Sequence, residues 1–240
     1  MPQQTGSARS YELLLIAVIA ARATSFIFSK MILESLAPFN LLAVRFIIAF
    51  VLLALIFNKA VRSLAVRDLL AGTVIGTAFF ITMACEMIAL TQAASSLVSL
   101  LENCAIIFVP LLEILLYKKL PGKLTVISTG MAMLGVVLLA LGQGELSGGF
   151  TWGLAAGLCY AAAIIVTERL SHGSTATLGI GIVQVGTMGV LSFLAMLLTE
   201  TPQLPQSGSQ WLMLAMLIIV CTSFGFTLQP MAQSLSLIHI

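Results

Sequence analysis

The 240-residue chain is 60% hydrophobic and only 8% charged, with a mean hydropathy of +1.11. A soluble domain of this size carries about 25% charged residues to hydrate its surface, so the composition excludes a soluble globular protein and predicts one that folds in lipid. The net charge is only +2, and no basic patch is interleaved with aromatic residues, so we expect no nucleic-acid partner.

Apolar stretches of about 20 residues recur along the chain, each long enough to cross about 30 Å of hydrocarbon. The first is too long for a signal peptide, and no basic region or cleavage site accompanies it. The pattern predicts an all-α polytopic membrane protein with eight spans, over residues 11–35, 39–58, 68–91, 93–117, 122–142, 149–169, 175–199 and 209–230. The third and fourth spans nearly touch, which predicts a tight hairpin around Thr91 and Gln92.

Lysine and arginine positions predict the orientation. With a cytoplasmic N-terminus, the outer connectors carry Glu34, Glu145 and Glu200 and no basic residue. The inner segments then hold most of the basic residues, namely Arg9, Lys59, Arg62, Arg67, Lys118, Lys119, Lys123 and Arg169. We therefore expect a multi-pass protein of the plasma or inner membrane whose N-terminus is cytoplasmic.

Short similarities between the two parts of the chain predict an internal repeat. "RATSFIFSK" at residues 22–30 corresponds to "YAAAIIVTE" at residues 160–168, and "VRF" at 44–46 corresponds to "VQV" at 183–185. Units of five spans, an odd number, insert in opposite orientations, as in secondary transporters. We predict a first repeat of five spans over residues 1–143 and an incomplete second repeat of three spans over residues 144–240.

Three stretches resemble the EamA type of the drug/metabolite transporter superfamily: "RATSFIFSK" with "LLAVRFIIAF", residues 88–142 beginning "IALTQAASSLVSLLENC", and "GLAAGLCYAAAIIVTERL". The resemblance implies a ten-helix exporter or importer of small metabolites with both termini cytoplasmic. Arg22 departs from it, because the family usually has an apolar or aromatic residue there. Only eight of the ten expected spans are present, and "SLSLIHI" stands where the ninth should begin. We expect the parent gene to encode about two more spans after Gln233.

Four charged residues, Arg22, Arg45, Glu86 and Glu102, lie well away from the ends of the predicted spans. An ionised side chain at the bilayer centre costs on the order of 2.5–3.5 kcal/mol, so such residues face a cavity or a partner. At 1.5 Å per residue from the outer ends, Glu86, Arg45 and Glu102 lie about 8, 10 and 13 Å deep. One interpretation is a pair of structural ion pairs, Arg45 with Glu86 and Arg22 with Glu102. The other is a central cavity that binds substrate or exchanges a proton.

The fourth span carries a polar stripe that includes Glu102. Glu113 follows Glu102 by three helical turns and shares its face, with Ser95 on the same face. Pro110 predicts a kink between the two glutamates, because proline cannot donate a backbone hydrogen bond. We expect Glu102 to face the cavity with Asn103 supporting the polar layer. Glu113 lies nearer the cytoplasmic end and is expected to be peripheral.

Other polar and small residues complete the predicted site or its frame. Tyr160 and Gln184 are site candidates, because they lie in mid-span opposite Arg22 and Arg45 in the repeat alignment. The glycine series at 72 and 76 and at 149, 153 and 157 predicts close helix packing. The four cysteines have no CxxC spacing and predict packing rather than disulfides or metal ligands. Lys30 is expected to extend outward.

These features together favour a secondary-type transporter of small metabolites or drugs that works by alternating access. We expect a small-molecule substrate, the lipid bilayer as surroundings, no cofactor and no metal, and we leave a homodimer open. The sequence contains no GxxxxGK[ST], HExxH or GxSxG motif, so no enzymatic activity is predicted. The alternatives left open are a membrane-embedded lipid-handling enzyme or scaffold, and a non-functional fragment of a transporter.

Overall fold

The computed structural model describes residues 24–117, 122–142, 148–171, 174 and 176–224. Throughout these ranges the chain forms helices and connectors and no strand. Arg22, the basic segment at 118–121 and the closing "SLSLIHI" segment lie outside the described residues, together with the predictions made for them.

The helices follow the predicted spans in order. They are α1 (Thr24–Leu33), α2 (Pro38–Ile56), α3 (Asn58–Arg62), α4 (Val66–Gln92), α5 (Ser95–Asn103), α6 (Ala105–Tyr117), α7 (Lys123–Gly142), α8 (Gly148–Ser171), α9 (Thr177–Thr199) and α10 (Gly208–Met216), which continues as a π-helix over Leu217–Phe224. The short helix α3 is the one element among them that the apolar pattern did not predict. Only two residues separate α4 from α5, as expected for the hairpin near Thr91 and Gln92.

Five helical segments are long and apolar enough to cross a membrane: Pro38–Ile56, Val66–Gln92, Ser95–Leu116, Gly148–Ser171 and Thr177–Thr199. Three shorter apolar helices cover Thr24–Leu33, Thr125–Gly135 and Gly208–Ser223. The chain is therefore an all-helical, multi-pass membrane protein. The count of eight spans and the inverted repeat stay predictions.

Helical structure satisfies the polar groups that these apolar spans would otherwise expose to lipid. Threonine hydroxyls do so locally: Oγ1 of Thr73 donates to the Leu69 carbonyl at 2.9 Å, and Oγ1 of Thr167 donates to the Ala163 carbonyl at 2.7 Å. Such bonds to the residue four positions earlier let hydroxyl side chains lie within an apolar helix. These threonines therefore add little polarity to the helix surface.

Helix α4 lies at the centre of the bundle, packed along both α8 and α9, while α2 packs along α9 and the π-helix. Helices α5 and α6 pack against α8, and α7 contacts α6. Glycines allow these approaches: a Cβ placed on Gly76 would lie 2.7 Å from the Gln184 carbonyl oxygen, and one on Gly153 would lie 2.7 Å from Cδ1 of Leu101. The predicted packing role of both glycine series is confirmed by these contacts.

The two ends of the bundle differ in charge. At one end, α3 and the start of α4 meet the start of α9, where Oγ of Ser174 donates to Oδ1 of Asp68 at 3.2 Å. Exposed basic residues surround this contact, namely Lys59, Arg62, Arg67 and Arg169, and we call it the basic end. At the opposite end, residues 34–40, 92–95, 148–149 and 200–210 lie at the termini of their helices.

The predicted fourth span is interrupted at a single residue. The interruption is at Cys104, between α5 and α6, and Pro110 lies inside the continuous helix α6. At Cys104 the backbone N–H bonds to the carbonyl of Leu101, three residues back, at 3.1 Å. The break falls between Glu102 and Glu113 as predicted. Its local cause is this tightened turn after Asn103, whereas the predicted kink at Pro110 stays a prediction.

Candidate functional site

Arg45 is the most completely buried cation of the described chain, with 1% of its surface exposed. It lies on α2, and its Nε donates to Oγ1 of Thr222 at 2.6 Å. Its guanidinium carbon also lies 5.3 Å from the centroid of the Phe46 ring, within the range of a cation–π contact. Arg45 thus connects α2 to the π-helix.

Both intramembrane glutamates of the predicted site are also buried. Glu86 on α4 is 1% exposed and Glu102 on α5 is 2% exposed. Arg45, Glu86 and Glu102 each lie about 9–11 Å from the same-side ends of their helices, at 1.5 Å per residue. Counted in this way, the three residues lie at similar depths, and the single polar layer stays a prediction. The ion pairs of Arg45 with Glu86 and of Arg22 with Glu102 stay predictions.

The position of Glu102 is fixed by a close helix contact. A Cβ on Gly157 would lie 2.5 Å from the Leu101 carbonyl oxygen and 3.4 Å from that of Glu102. Helix α8 therefore touches the last turn of α5 backbone to backbone, immediately before the break at Cys104. This contact holds Glu102 inside the bundle, between a helix end and a glycine surface.

Gln184 and Tyr160 lie deeper, at a second level. Gln184 on α9 is 1% exposed, about 22 Å from Thr199 along the helix. Its Oε1 atom has no hydrogen-bond partner among the described residues. Tyr160 on α8 is half-buried, and its ring meets Phe79 edge-on at a centroid distance of 6.0 Å. Gln184 therefore lies toward the basic end, whereas Tyr160, about 18 Å from Gly148, lies near the middle of α8.

Asn103 does not join the buried layer. Its side chain is exposed, and Nδ2 donates to the Ser99 carbonyl of its own helix at 2.7 Å. It therefore closes the end of α5, where the helix stops, and does not support Glu102 from within. Glu113 is half-buried, in agreement with its predicted peripheral position. The remaining candidate, Arg22, lies outside the described residues.

A polar cluster at the end opposite the basic end was not predicted as a unit. Glu200 accepts hydrogen bonds from the backbone N–H groups of Phe39 and Asn40, each at 2.9 Å, and from Nδ2 of Asn40 at 2.8 Å. Asn40 also donates to the Thr201 carbonyl at 3.0 Å and accepts from the Gln203 N–H at 2.7 Å. We call Asn40, Glu200, Thr201 and Gln203 the clasp, and this end of the bundle the clasp end.

The clasp closes the start of α2 with a carboxylate from another part of the chain. The N-cap residue, Ala37, offers no side-chain acceptor, so Glu200 supplies the negative charge favoured at a helix N-terminus. A sequence signal for it existed in "APFN", a helix start that carries no acceptor of its own. Lys30 supplies the positive charge that is favoured at a helix C-terminus: its ammonium donates to the carbonyls of Leu90 and Ala93 at the end of α4.

The fold and the buried charges define a class: a polytopic helical membrane protein with charged side chains buried between its helices. Residues 9–141 match the model of the EamA-like transporter family, and the chain belongs to that family. This match confirms the resemblance of the sequence to EamA-type proteins. Members of the family are generally transporters. No curated protein sequence matches the chain in a direct search.

Proposed function

We propose that the protein is a secondary transporter that moves a small metabolite or drug across the membrane by alternating access. The observation that carries this proposal is the burial of Arg45, Glu86 and Glu102 within a bundle of apolar helices. Charges placed there are costly unless they serve a pathway or pair with one another. Membership of the EamA-like transporter family favours a role in a transport pathway over a purely structural pairing.

The arrangement of the polar residues supports a path with two levels. The buried charges lie nearer the clasp end, Gln184 lies nearer the basic end, and Tyr160 lies between them. A solute that exchanges contacts between these levels would pass the break at Cys104 and the side chain of Glu102. Interrupted helices line substrate sites in transporters, because their free backbone groups are tolerated where they face a cavity.

Within this proposal, Glu102 binds substrate or exchanges a proton as the cavity opens to either side. The basic end is the cytoplasmic end in this proposal, since lysine and arginine are retained on that side. The protein would then reside in the plasma or inner membrane.

The test is solute flux in proteoliposomes that contain the protein expressed from its complete coding sequence. A panel of amino acids, nucleosides, sugars and cationic drugs would be supplied with and without a proton gradient. Flux of at least one solute above protein-free vesicles supports the proposal. Conversion of lipid or solute without flux would favour the membrane-embedded enzyme instead.

Glu102→Gln is the decisive variant, and Glu113→Gln is its matched control on the same span. Glu102→Gln should fold and insert normally yet reduce flux by at least tenfold or abolish its dependence on the proton gradient. Glu113→Gln should stay within about twofold of the wild type. Normal flux from Glu102→Gln, with only a lower yield of folded protein, would show that Glu102 is a structural residue.

A further inference from the structure

Helices α2 and α9 pack against each other in opposite directions, and their contacts follow the predicted repeat. A Cβ on Gly186 would lie 2.7 Å from Cδ2 of Phe50, and one on Gly189 would lie 3.1 Å from the backbone nitrogen of Ile47. The alignment of "VRF" with "VQV", continued along both helices, pairs Ile47 with Gly186 and Phe50 with Gly189. Each contact is therefore the counterpart of the other, as an inverted repeat requires.

The start of each of these two helices is bound by residues that follow the other helix. At the clasp end, Glu200 directly follows α9 and accepts hydrogen bonds from the N–H groups that begin α2. At the basic end, Asp68 follows α2 and α3, and its Oδ1 accepts from Oγ of Ser174 at 3.2 Å. The same Ser174 oxygen accepts from the backbone N–H of Ala176, the N-cap residue of α9, at 3.1 Å. We call Asp68, Ser174 and Ala176 the basic-end latch.

The clasp and the basic-end latch both join the two predicted repeats. Asn40 and Asp68 belong to the first predicted repeat, whereas Glu200 and Ser174 belong to the second. Asp68, Ser174 and Glu200 are half-buried, so water can reach these contacts. A hydrogen bond that can be exchanged for one to water opens at a lower cost than a packed apolar contact. Both sets of contacts are therefore suited to break and re-form.

Each set of contacts lies over one buried polar side chain. Arg45 on α2 and Gln184 on α9 are each 1% exposed. Each lies about 10.5 Å beyond the first residue of its helix, Arg45 beneath the clasp and Gln184 beneath the basic-end latch. Separation of α2 from Glu200 would thus open a way toward Arg45, and separation of α9 from Asp68 would open a way toward Gln184.

We propose that the clasp and the basic-end latch are the two gates of the protein, and that they open in turn. This inference rests on the proposed function, because alternating access needs an opening at each end and excludes both openings at once. The hydrogen bonds of both gates are formed in this structure. A helix cap with a purely structural role would stay formed throughout the cycle, and its loss would not change the opposite end.

Distances across the two ends test the gates without a transport assay. The protein is expressed from its complete coding sequence with its native cysteines replaced by serine, and it carries two nitroxide spin labels. Glu34→Cys/Leu204→Cys places the labels across the clasp, and Arg62→Cys/Arg169→Cys places them across the basic end. All four native side chains are exposed. Double electron–electron resonance in liposomes then measures the distance distribution of each pair.

The substitution Ser174→Ala removes both hydrogen bonds of the basic-end latch. It should raise the long-distance population of the basic-end pair by at least about threefold, because each bond stabilises the closed form. Ser174→Thr keeps the hydroxyl and is the matched control. Glu200→Gln should raise the long-distance population of the clasp-end pair and lower that of the basic-end pair, since a shift toward one open state depopulates the other.

Unchanged distance distributions in either Ser174→Ala or Glu200→Gln would overturn the gates. Longer distances at both ends in one variant would also overturn them, and so would a change confined to the substituted end, which marks a structural cap. The same measurements separate the gates from the proposed function. Reciprocal distance changes in a protein that moves no solute would count against the transporter alone, whereas solute flux with unchanged distances would count against the gates alone.

Discussion

Arg45 and Thr222 are joined by a 2.6 Å hydrogen bond from Nε to Oγ1, although they lie 177 positions apart in the chain. The bond ties α2 to the π-helix and orients a guanidinium that has almost no access to solvent. Orientation matters because a buried charge is functional only if it points at its ligand or its partner. Thr222 is therefore a positioning residue for Arg45.

Thr222→Val should destabilise the folded protein by about 1–3 kcal/mol, because it replaces the acceptor of a buried charged donor with a methyl group of similar shape. Thr222→Ser keeps the hydroxyl and is the matched control. Thermal unfolding in detergent measures the difference between the two variants. Equal melting temperatures for Val and Ser would show that the hydrogen bond does not contribute to stability.

Gly157→Ala should disturb the contact between α8 and α5. The added Cβ would lie 2.5 Å from the Leu101 carbonyl oxygen, so the helices must separate, at a cost of about 1–3 kcal/mol. Gly130→Ala on α7 is the control, because no atom lies within 4 Å of its Cβ position. There alanine should be neutral or stabilising by up to about 1 kcal/mol. Similar unfolding midpoints for both variants would contradict the close contact.

Glu200→Gln should weaken the clasp. The amide has the shape of the carboxylate but loses its charge, and one of its two oxygens becomes an N–H₂ group that cannot accept. We expect a loss of about 1–2 kcal/mol in unfolding free energy. Glu34→Gln removes an exposed carboxylate at the same end and should change stability by less than about 0.5 kcal/mol. Equal unfolding free energies for Glu200→Gln and Glu34→Gln would contradict this prediction.

Cysteine labelling tests which end faces the cytoplasm. In a variant whose native cysteines are replaced by serine, Arg62→Cys and Glu34→Cys place single thiols at opposite ends of the bundle. A membrane-impermeant maleimide added to intact cells should label position 34 and spare position 62 until the cells are opened. Labelling of position 62 in intact cells would reverse the proposed orientation.

Sequence patterns predicted the helices well, because apolar runs of membrane length leave few alternatives to a helix. The burial of Arg45, Glu86 and Glu102 was also predictable, since the cost of a charge in lipid forces it inward. Contacts between helices that are distant in the sequence were not predictable. Thr222 and Asn40 resemble many other polar residues in the sequence, and only the packing of α2 against later segments reveals their partners.

The break at Cys104 shows a different limit. Pro110 was the obvious helix breaker in the span, yet helix α6 includes it and the turn tightens six residues earlier. Asn103 and Cys104 both bond to carbonyls of the preceding turn through their side chains, at 2.7 and 3.4 Å. Two side chains therefore compete together for backbone carbonyls. The helix propensities of single residues do not describe such a joint effect.

The π-helix over Leu217–Phe224 sets which side of its helix Thr222 presents to Arg45. Each of its hydrogen bonds spans one residue more than in the preceding α10, so this segment turns through a smaller angle per residue. If the same residues wound as an α-helix, at 3.6 residues per turn, the Thr222 hydroxyl would be carried around the helix axis and away from Arg45. A change elsewhere in the segment that restores α-helical winding would thus remove the contact without altering either Arg45 or Thr222.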